Sequence, residues 1–140
     1  MIRPYHQQDL EAILEIWEES SKIAHSFLDE AFFIQERQAI REQYLPIAQT
    51  FIFEQKGEVL GFISLINNLI GGFFVKPSMQ GQGIGQALMN YAVKLQGKLE
   101  VDVFELNQIG RKFYQQYGFI PVEESLHPES GFILIRMSLK

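Results

Sequence analysis

The sequence contains no cysteine. Disulfides, thiolate metal sites and a cysteine nucleophile are therefore excluded. Histidine is scarce too. The three present, His6, His25 and His127, are spread along the chain rather than clustered as metal ligands would be, so no metal is expected. Positive charge is in deficit: 12 Lys and Arg stand against 17 Asp and Glu, a net charge of −5. That balance repels nucleic acid and anionic membrane, and weakly favours cationic partners. No run approaches the roughly 18 uninterrupted apolar residues of a spanning helix. The opening Met1-Ile-Arg-Pro-Tyr lacks the apolar stretch of a signal peptide. The expectation is a soluble, cytoplasmic protein. With no repeat, low-complexity run or linker, residues 1–140 read as one domain.

What is present is a normal globular inventory, 46% hydrophobic and 21% charged, with 12 Phe and five Tyr to build an aromatic core. Ile2 to Pro4 suits a short strand. Leu10, Ile13, Leu14 and Trp17 recur at helical spacing, and the polar cluster Glu18 to Lys22 ends that signal. A second helix is predicted to run to Tyr44, with Pro46 as its stop. The period then changes to two. "TFIFEQKGEVLGFISLI" reads as two strands about a Lys56-Gly57 turn, with Val59, Gly61, Ile63 and Leu65 on one face and Leu60, Phe62 and Ser64 on the other. Both faces are apolar, so the second strand should be covered on both sides. "NNLIGGFFV" supplies a further strand, and its Gly71-Gly72 pair suggests a bulge or a close approach. Ile84, Leu88, Tyr91 and Leu95 mark a third helix, and "KLEVDVFEL" a strand. "NQIGRKFYQQYGF" reads as a short helix with Ile109, Phe113 and Tyr117 on its core face and Gly118 as its stop. Strands near 120–124 and 132–139 close the chain. The order, β-α-α-β-β-β-α-β-α-β-β, gives one mixed α/β domain.

Between the third of the middle strands and the third helix lies Gln80-Gly81-Gln82-Gly83-Ile84-Gly85-Gln86. A glycine turn feeding a helix presents unpaired N–H groups and the positive end of the helix dipole, a site suited to phosphate oxygens. A plain strand-to-helix connection uses glycine as well. The Gly-Lys-Ser/Thr ending of a P-loop is absent. The third glycine falls at the fifth rather than the sixth position of the dinucleotide fingerprint, and the 55 residues that follow are few for a doubly wound dinucleotide domain. A nicotinamide-dependent oxidoreductase is thereby disfavoured.

The pattern Gln80-Gly81-Gln82-Gly83-Ile84-Gly85 resembles motif A of the GCN5-related N-acetyltransferases (GNAT), and Leu106–Phe119, "LNQIGRKFYQQYGF", resembles that family's later signature. The resemblance spans the chain and is nearest to short, single-domain bacterial members. It implies an α+β fold: a twisted, mostly antiparallel sheet of about seven strands with about four helices, splayed between the fourth and fifth strands. It implies acetyl-CoA as acyl donor, its pantetheine arm paired with the main chain of Phe73, Phe74 and Val75 and its diphosphate on the turn from Gln80 through Gln86. Basic residues are frequent in the family where Gln80 and Gln82 stand, so few side-chain charges would hold the phosphates. Asn107 is placed to reach the arm or merely to cap its helix. Gly110 stands where alanine is usual. Tyr114 matches the family tyrosine that protonates the leaving thiolate.

The implied reaction is direct attack of a primary amine on the thioester in a ternary complex, with proximity supplying much of the rate. A lysine amine, pKa about 10.4, must first lose a proton. His25, between the first two helices, is the candidate base because histidine titrates near neutrality. Glu54, Glu100 and Asp102 are further candidates acting through water. His6 and His127 lie in less suggestive places. The acceptor, whether protein lysine, protein N-terminus or small-molecule amine, is open. A monomer or a homodimer is expected. A non-catalytic acyl-CoA-binding module is the alternative function.

Overall fold

The computed structural model describes residues 1–140. Seven strands, β1 (Ile2–Pro4), β2 (Gln49–Gln55), β3 (Glu58–Ile66), β4 (Leu69–Val75), β5 (Glu100–Phe104), β6 (Phe119–Leu126) and β7 (Ile133–Leu139), form one sheet in the order β1-β2-β3-β4-β5-β7-β6. Four helices accompany it: α1 (Leu10–Ala24), α2 (Glu30–Ala39), α3 (Ile84–Gln96) and α4 (Gln108–Tyr117). No helix is long and apolar enough to cross a membrane. All neighbouring strands are antiparallel except β4 and β5, which pair in parallel only at Leu69–Glu100 and Ile70–Val101. Beyond Ile70 the two strands part, as expected from the resemblance.

Local chemistry explains the elements. The β2–β3 hairpin turns on Lys56 and Gly57, both at positive φ (53° and 78°), the geometry whose twist matches paired strands. Asp29 caps α2 by accepting from the Phe32 N–H at 2.9 Å, and a wider π-type turn over Ile40–Tyr44 extends that helix to its predicted end. Arg3 on β1 grips buried Asp9 with two bonds (2.8 and 2.9 Å) and Glu54 on β2 with a third (2.7 Å), fixing the start of α1 to the sheet edge.

The sheet is covered on both faces at β2 and β3, while β6 at its edge is exposed beyond Phe119. One core packs Leu60, Ile63 and Leu65 of β3 against Ile84, Leu88, Met89 and Ala92 of α3. The other packs Ile52 and Phe62 against Ile13, Ile16 and Trp17 of α1 and Phe33 of α2.

Four expectations need correction. α1 does not stop at Glu18: its buried stripe continues through Ser20 and Ser21, and Ser20 Oγ donates to the Val75 carbonyl at 3.0 Å, so a polar residue holds an inward position. Strict alternation on β3 fails at Leu60. The register passes from Phe53–Gly61 to Glu54–Val59, leaving Leu60 as an extra residue, which turns it toward the α3 face and Val59 toward α1. On α3, Tyr91 and Leu95 are exposed while Met89 and Ala92 are buried. On α4, Ile109 is exposed and Tyr114 is the buried residue, with Phe113 and Tyr117 partly covered beside it.

Candidate active site

A cavity of about 990 Å³ opens where β4 and β5 separate. A bulge begins it. β3 pairs Ser64 with Gly72 and Leu65 with Ile70, so Gly71 is the extra residue at the point of parting, as the glycine pair suggested. Beyond it, the Val75 carbonyl accepts from Ser20 and the Lys76 N–H donates to Leu60 of β3. Strand alternation then turns the main-chain groups of Phe73 and Val75 toward the opening and those of Phe74 toward β3. Of the three residues expected to offer main-chain contacts, Phe73 and Val75 have the orientation for it. The Val75 carbonyl is already occupied, since Gln80 Nε2 donates to it as well, at 3.2 Å. Gln80 thus braces the turn instead of reaching out.

The glycine turn closes one end. Gly81 and Gly83 have φ of 82° and 85°, and a Cβ built on either meets nothing within 4 Å. Their side chains are missing for conformation, and the space beside them is open. Gly85 differs: its Cβ would come within 3.3 Å of Phe113 and 3.4 Å of Phe73, so α3 starts hard against both rings. The first main-chain bond inside α3 runs from the Ala87 N–H to the Gly83 carbonyl, which leaves the amides of Ile84, Gly85 and Gln86 unspent. Gly81, Gly83, Gly85 and Gln86 line the cavity; Gln82 is exposed outside it, and the Ile84 side chain is in the core. Lys76, the nearest cation in sequence, is paired with Glu58 at 2.7 Å.

The other wall is α4. Asn107 caps it: Oδ1 accepts the Gly110 N–H at 2.9 Å. That bond orients the amide so that Nδ2, 3.2 Å from His25 Nε2, donates to the imidazole and leaves the ring proton on Nδ1. A Cβ on Gly110 would lie 2.5 Å from Asn107 Nδ2, so glycine here makes room for the Asn107 amide. Tyr114 is 7% exposed, its ring set among Phe73, Phe113 and Phe119. Its hydroxyl has no hydrogen-bond partner in the chain. Ser21 Oγ is the one side-chain atom both unpartnered and fully enclosed, so the Tyr114 oxygen opens onto the cavity it lines. Burial pushes its phenol pKa well up, and it keeps its proton at neutral pH.

His25 does not titrate near neutrality as expected. Burial, with Phe27 and Phe104 packed edge-on against its ring, lowers its pKa to about 4. It is neutral at pH 7, with its Nε2 lone pair engaged by Asn107, which makes it an anchor for Asn107 and a poor base. The unfolded chain binds a proton at His25 below pH 6.5 that the fold refuses until about pH 4. Its contribution is therefore intact above pH 6.5 and lost as pH falls through that window, by at most about 3 kcal/mol. Urea melts of wild type and His25→Gln at pH 7 and pH 4.5 check this. The variant should show the smaller acid loss; equal losses contradict it.

Of the other candidates, Glu54 is committed to Arg3, and Glu100 and Asp102 to Arg136; only Asp102 of these lines the cavity. His6 stays away from it, whereas His127 lines it, held by Ser130 and Glu129. Sequence spacing missed Ser20, Glu36 and Lys112 as cavity residues. The inward stripe of α1 was the one available signal for Ser20; nothing local marks the other two.

The model of the acetyltransferase (GNAT) domain matches residues 46–121. The chain is 36% identical over 120 residues to the peptidyl-lysine N-acetyltransferase YiaC of Escherichia coli, covering 85% of this chain and 82% of that protein. It is 29% identical over 119 residues to the peptidyl-lysine N-acetyltransferase YjaB of Salmonella typhimurium, covering 84% and 81%. Among solved structures, apo YjaB from E. coli superposes with a TM-score of 0.88 at 23% identity, over 99% of this chain and 95% of that one. PaiA N-acetyltransferase from Thermoplasma acidophilum, solved with coenzyme A, gives 0.83 at 22% identity, over 100% and 98%. By sequence, the chain belongs to the GNAT family and is an acetyltransferase, and its fold agrees.

Proposed function

We propose that the protein transfers the acetyl group of acetyl-CoA to lysine side chains of proteins or peptides, with both substrates bound together. The observation that carries this reading is the Tyr114 hydroxyl: buried, protonated, unpartnered and open to a cavity that starts where β4 and β5 part. A buried phenol ordinarily finds a partner. The relatives' activity on peptidyl-lysine and the net charge of −5 both favour a cationic acceptor.

The residues present suit such a carrier. Three unspent amides and open space at Gly81 and Gly83 suit a diphosphate, and the outward main chain of Phe73 and Val75 suits an amide-bearing arm. When bound, the thioester supplies an electrophilic acyl carbon and a thiol leaving group. The chain's own part is then specific. Phe73 offers a donor and an acceptor to the arm, and Val75 a donor only. Asn107, held by His25, keeps one Nδ2–H for the arm. Gly71, at the bulge, brings main chain without a side chain to the cavity wall, which suits a donor to developing negative charge. As the bond to the amine nitrogen forms and the bond to sulfur breaks, Tyr114 Oη gives its proton to the departing sulfur, and the phenolate recovers one from the nitrogen that has attacked.

Thiol release from acetyl-CoA tests the reading, using two peptides that differ only in whether one internal lysine is free or already acetylated. Release with the free lysine alone is expected. A protein that binds CoA yet releases no thiol with any amine would be an acyl-CoA-binding module instead.

A further inference from the structure

The cavity has a second end, away from the glycine turn, where α2 and the β6–β7 turn face each other. A smaller groove of about 290 Å³ adjoins it, and Phe32, Glu36, Tyr44 and His127 line both. Tyr114, Asn107 and Gly110 line only the large cavity. Glu36 therefore stands at the junction of the interior and an outer groove.

Glu36 is half-buried and has no cation. Lys112, the one lysine or arginine lining the same cavity, makes no ion pair with Glu36, and the basic side chains on or facing α2 and its π-type extension are turned elsewhere. Arg37 binds Glu11 and Glu18, Arg41 binds Glu11, Lys22 binds Glu18 and Glu30, and His127 faces Glu129. Asp102, the other carboxylate on the cavity, is neutralised by Arg136. Burial, with the charge of Glu129 added, raises the Glu36 pKa, the mark of a carboxylate whose lost hydration has not been replaced. A cation arriving from outside would replace it. Aromatic walls stand ready for such a group: Phe32 lies 5.8 Å from the His127 ring and 6.0 Å from Phe33, with Tyr44 beside them.

The reacting amine must go deeper, toward Tyr114. A charge held at Glu36 is therefore a different one on the same acceptor. We propose that Glu36 selects acceptors bearing a second positive charge close to the reacting lysine, as in a basic peptide segment, and holds that charge between its carboxylate and the rings of Phe32 and Tyr44. This rests on the peptidyl-lysine reading above. It makes Glu36 a specificity-determining residue rather than a catalytic one.

Matched peptides test it, each with one lysine followed by either arginine or citrulline, its uncharged isostere. Wild type should prefer the arginine peptide by about tenfold in kcat/KM, mostly through KM. Glu36→Gln should reduce that preference to less than about twofold, with kcat/KM for the citrulline peptide and the affinity for CoA unchanged. Three results overturn the proposal: no preference in wild type, a preference that survives Glu36→Gln, or equal loss with both peptides, which would mean that Glu36 acts on the reacting amine or on the fold. Calorimetric titration with the two acetyl-lysine product peptides reads the same claim without turnover. If neither lysine peptide is acetylated, the peptidyl-lysine reading fails, while tighter binding of the arginine product to wild type than to Glu36→Gln still supports a cation site at Glu36, and equal binding removes it.

Discussion

Replacing Tyr114 with phenylalanine should lower kcat by about 10²- to 10⁴-fold while leaving the fold, the affinity for CoA and the KM for the acceptor nearly unchanged. The substitution removes one oxygen and keeps the ring that packs on Phe73, Phe113 and Phe119. That oxygen makes no hydrogen bond within the chain, so no structural partner is orphaned, and the melting temperature should hold or rise slightly. The split matters because a purely structural tyrosine predicts the opposite pattern. Its phenylalanine variant would shift stability and spare the rate. The raised pKa adds a second signature. A phenol that keeps its proton through neutral pH limits the rate only in strongly alkaline solution, so the wild-type rate should show no loss of this acid between pH 7 and pH 9. A variant whose kcat lies within about twofold of wild type, at unchanged KM, removes Tyr114 from the chemistry.

The parts of this molecule that local sequence encodes were legible, and the parts set by distant pairing were not. Lys56-Gly57 announced its hairpin because two successive residues at positive φ are a local demand. Gly118 announced the end of α4 for the same reason, at φ 125°. The glycine turn was legible as a place where side chains must be absent, yet Gly85 serves a different end from Gly81 and Gly83. It is small because Phe73 and Phe113, from two other elements, close on it. Leu60 could not be read, since its flip comes from the register that β2 imposes. Ser20 looked like the polar end of a helix because its partner, the Val75 carbonyl, is 55 positions away. His25 lines the cavity, and its lowered pKa could not be read locally: beside the neighbouring Phe27 ring, the Phe104 ring and the Asn107 amide that hold it come from one distant stretch, Asn107 being 82 positions away. Glu36 carries no local signal at all. Its significance is that it is left without an ion pair while Lys22, Arg37 and Arg41 bind other carboxylates, a fact of the assembled surface.

Gly83→Val should weaken CoA binding by about a hundredfold or more, and the reason can be isolated from its effect on folding. Valine at φ 85° is strained by roughly 1–2 kcal/mol, so stability must fall. Strain alone could then be blamed for lost binding. Gly57 provides the control. It sits at φ 78° in the β2–β3 turn, with open space around its Cβ as at Gly83, but it does not line the cavity. Gly57→Val should lower the melting temperature about as much as Gly83→Val and leave CoA binding untouched. Gly83→Asn completes the set, because asparagine tolerates the left-handed conformation while still placing a side chain in the space beside the unspent amides of Ile84, Gly85 and Gln86. It should keep most of the stability and lose binding. If the amides of this turn do grip a diphosphate, loss of affinity follows the position and not the strain: both Gly83 variants lose it and Gly57→Val does not. If Gly83→Val binds CoA as well as Gly57→Val does, the phosphates rest elsewhere and the glycines of this turn are there only to bend the chain.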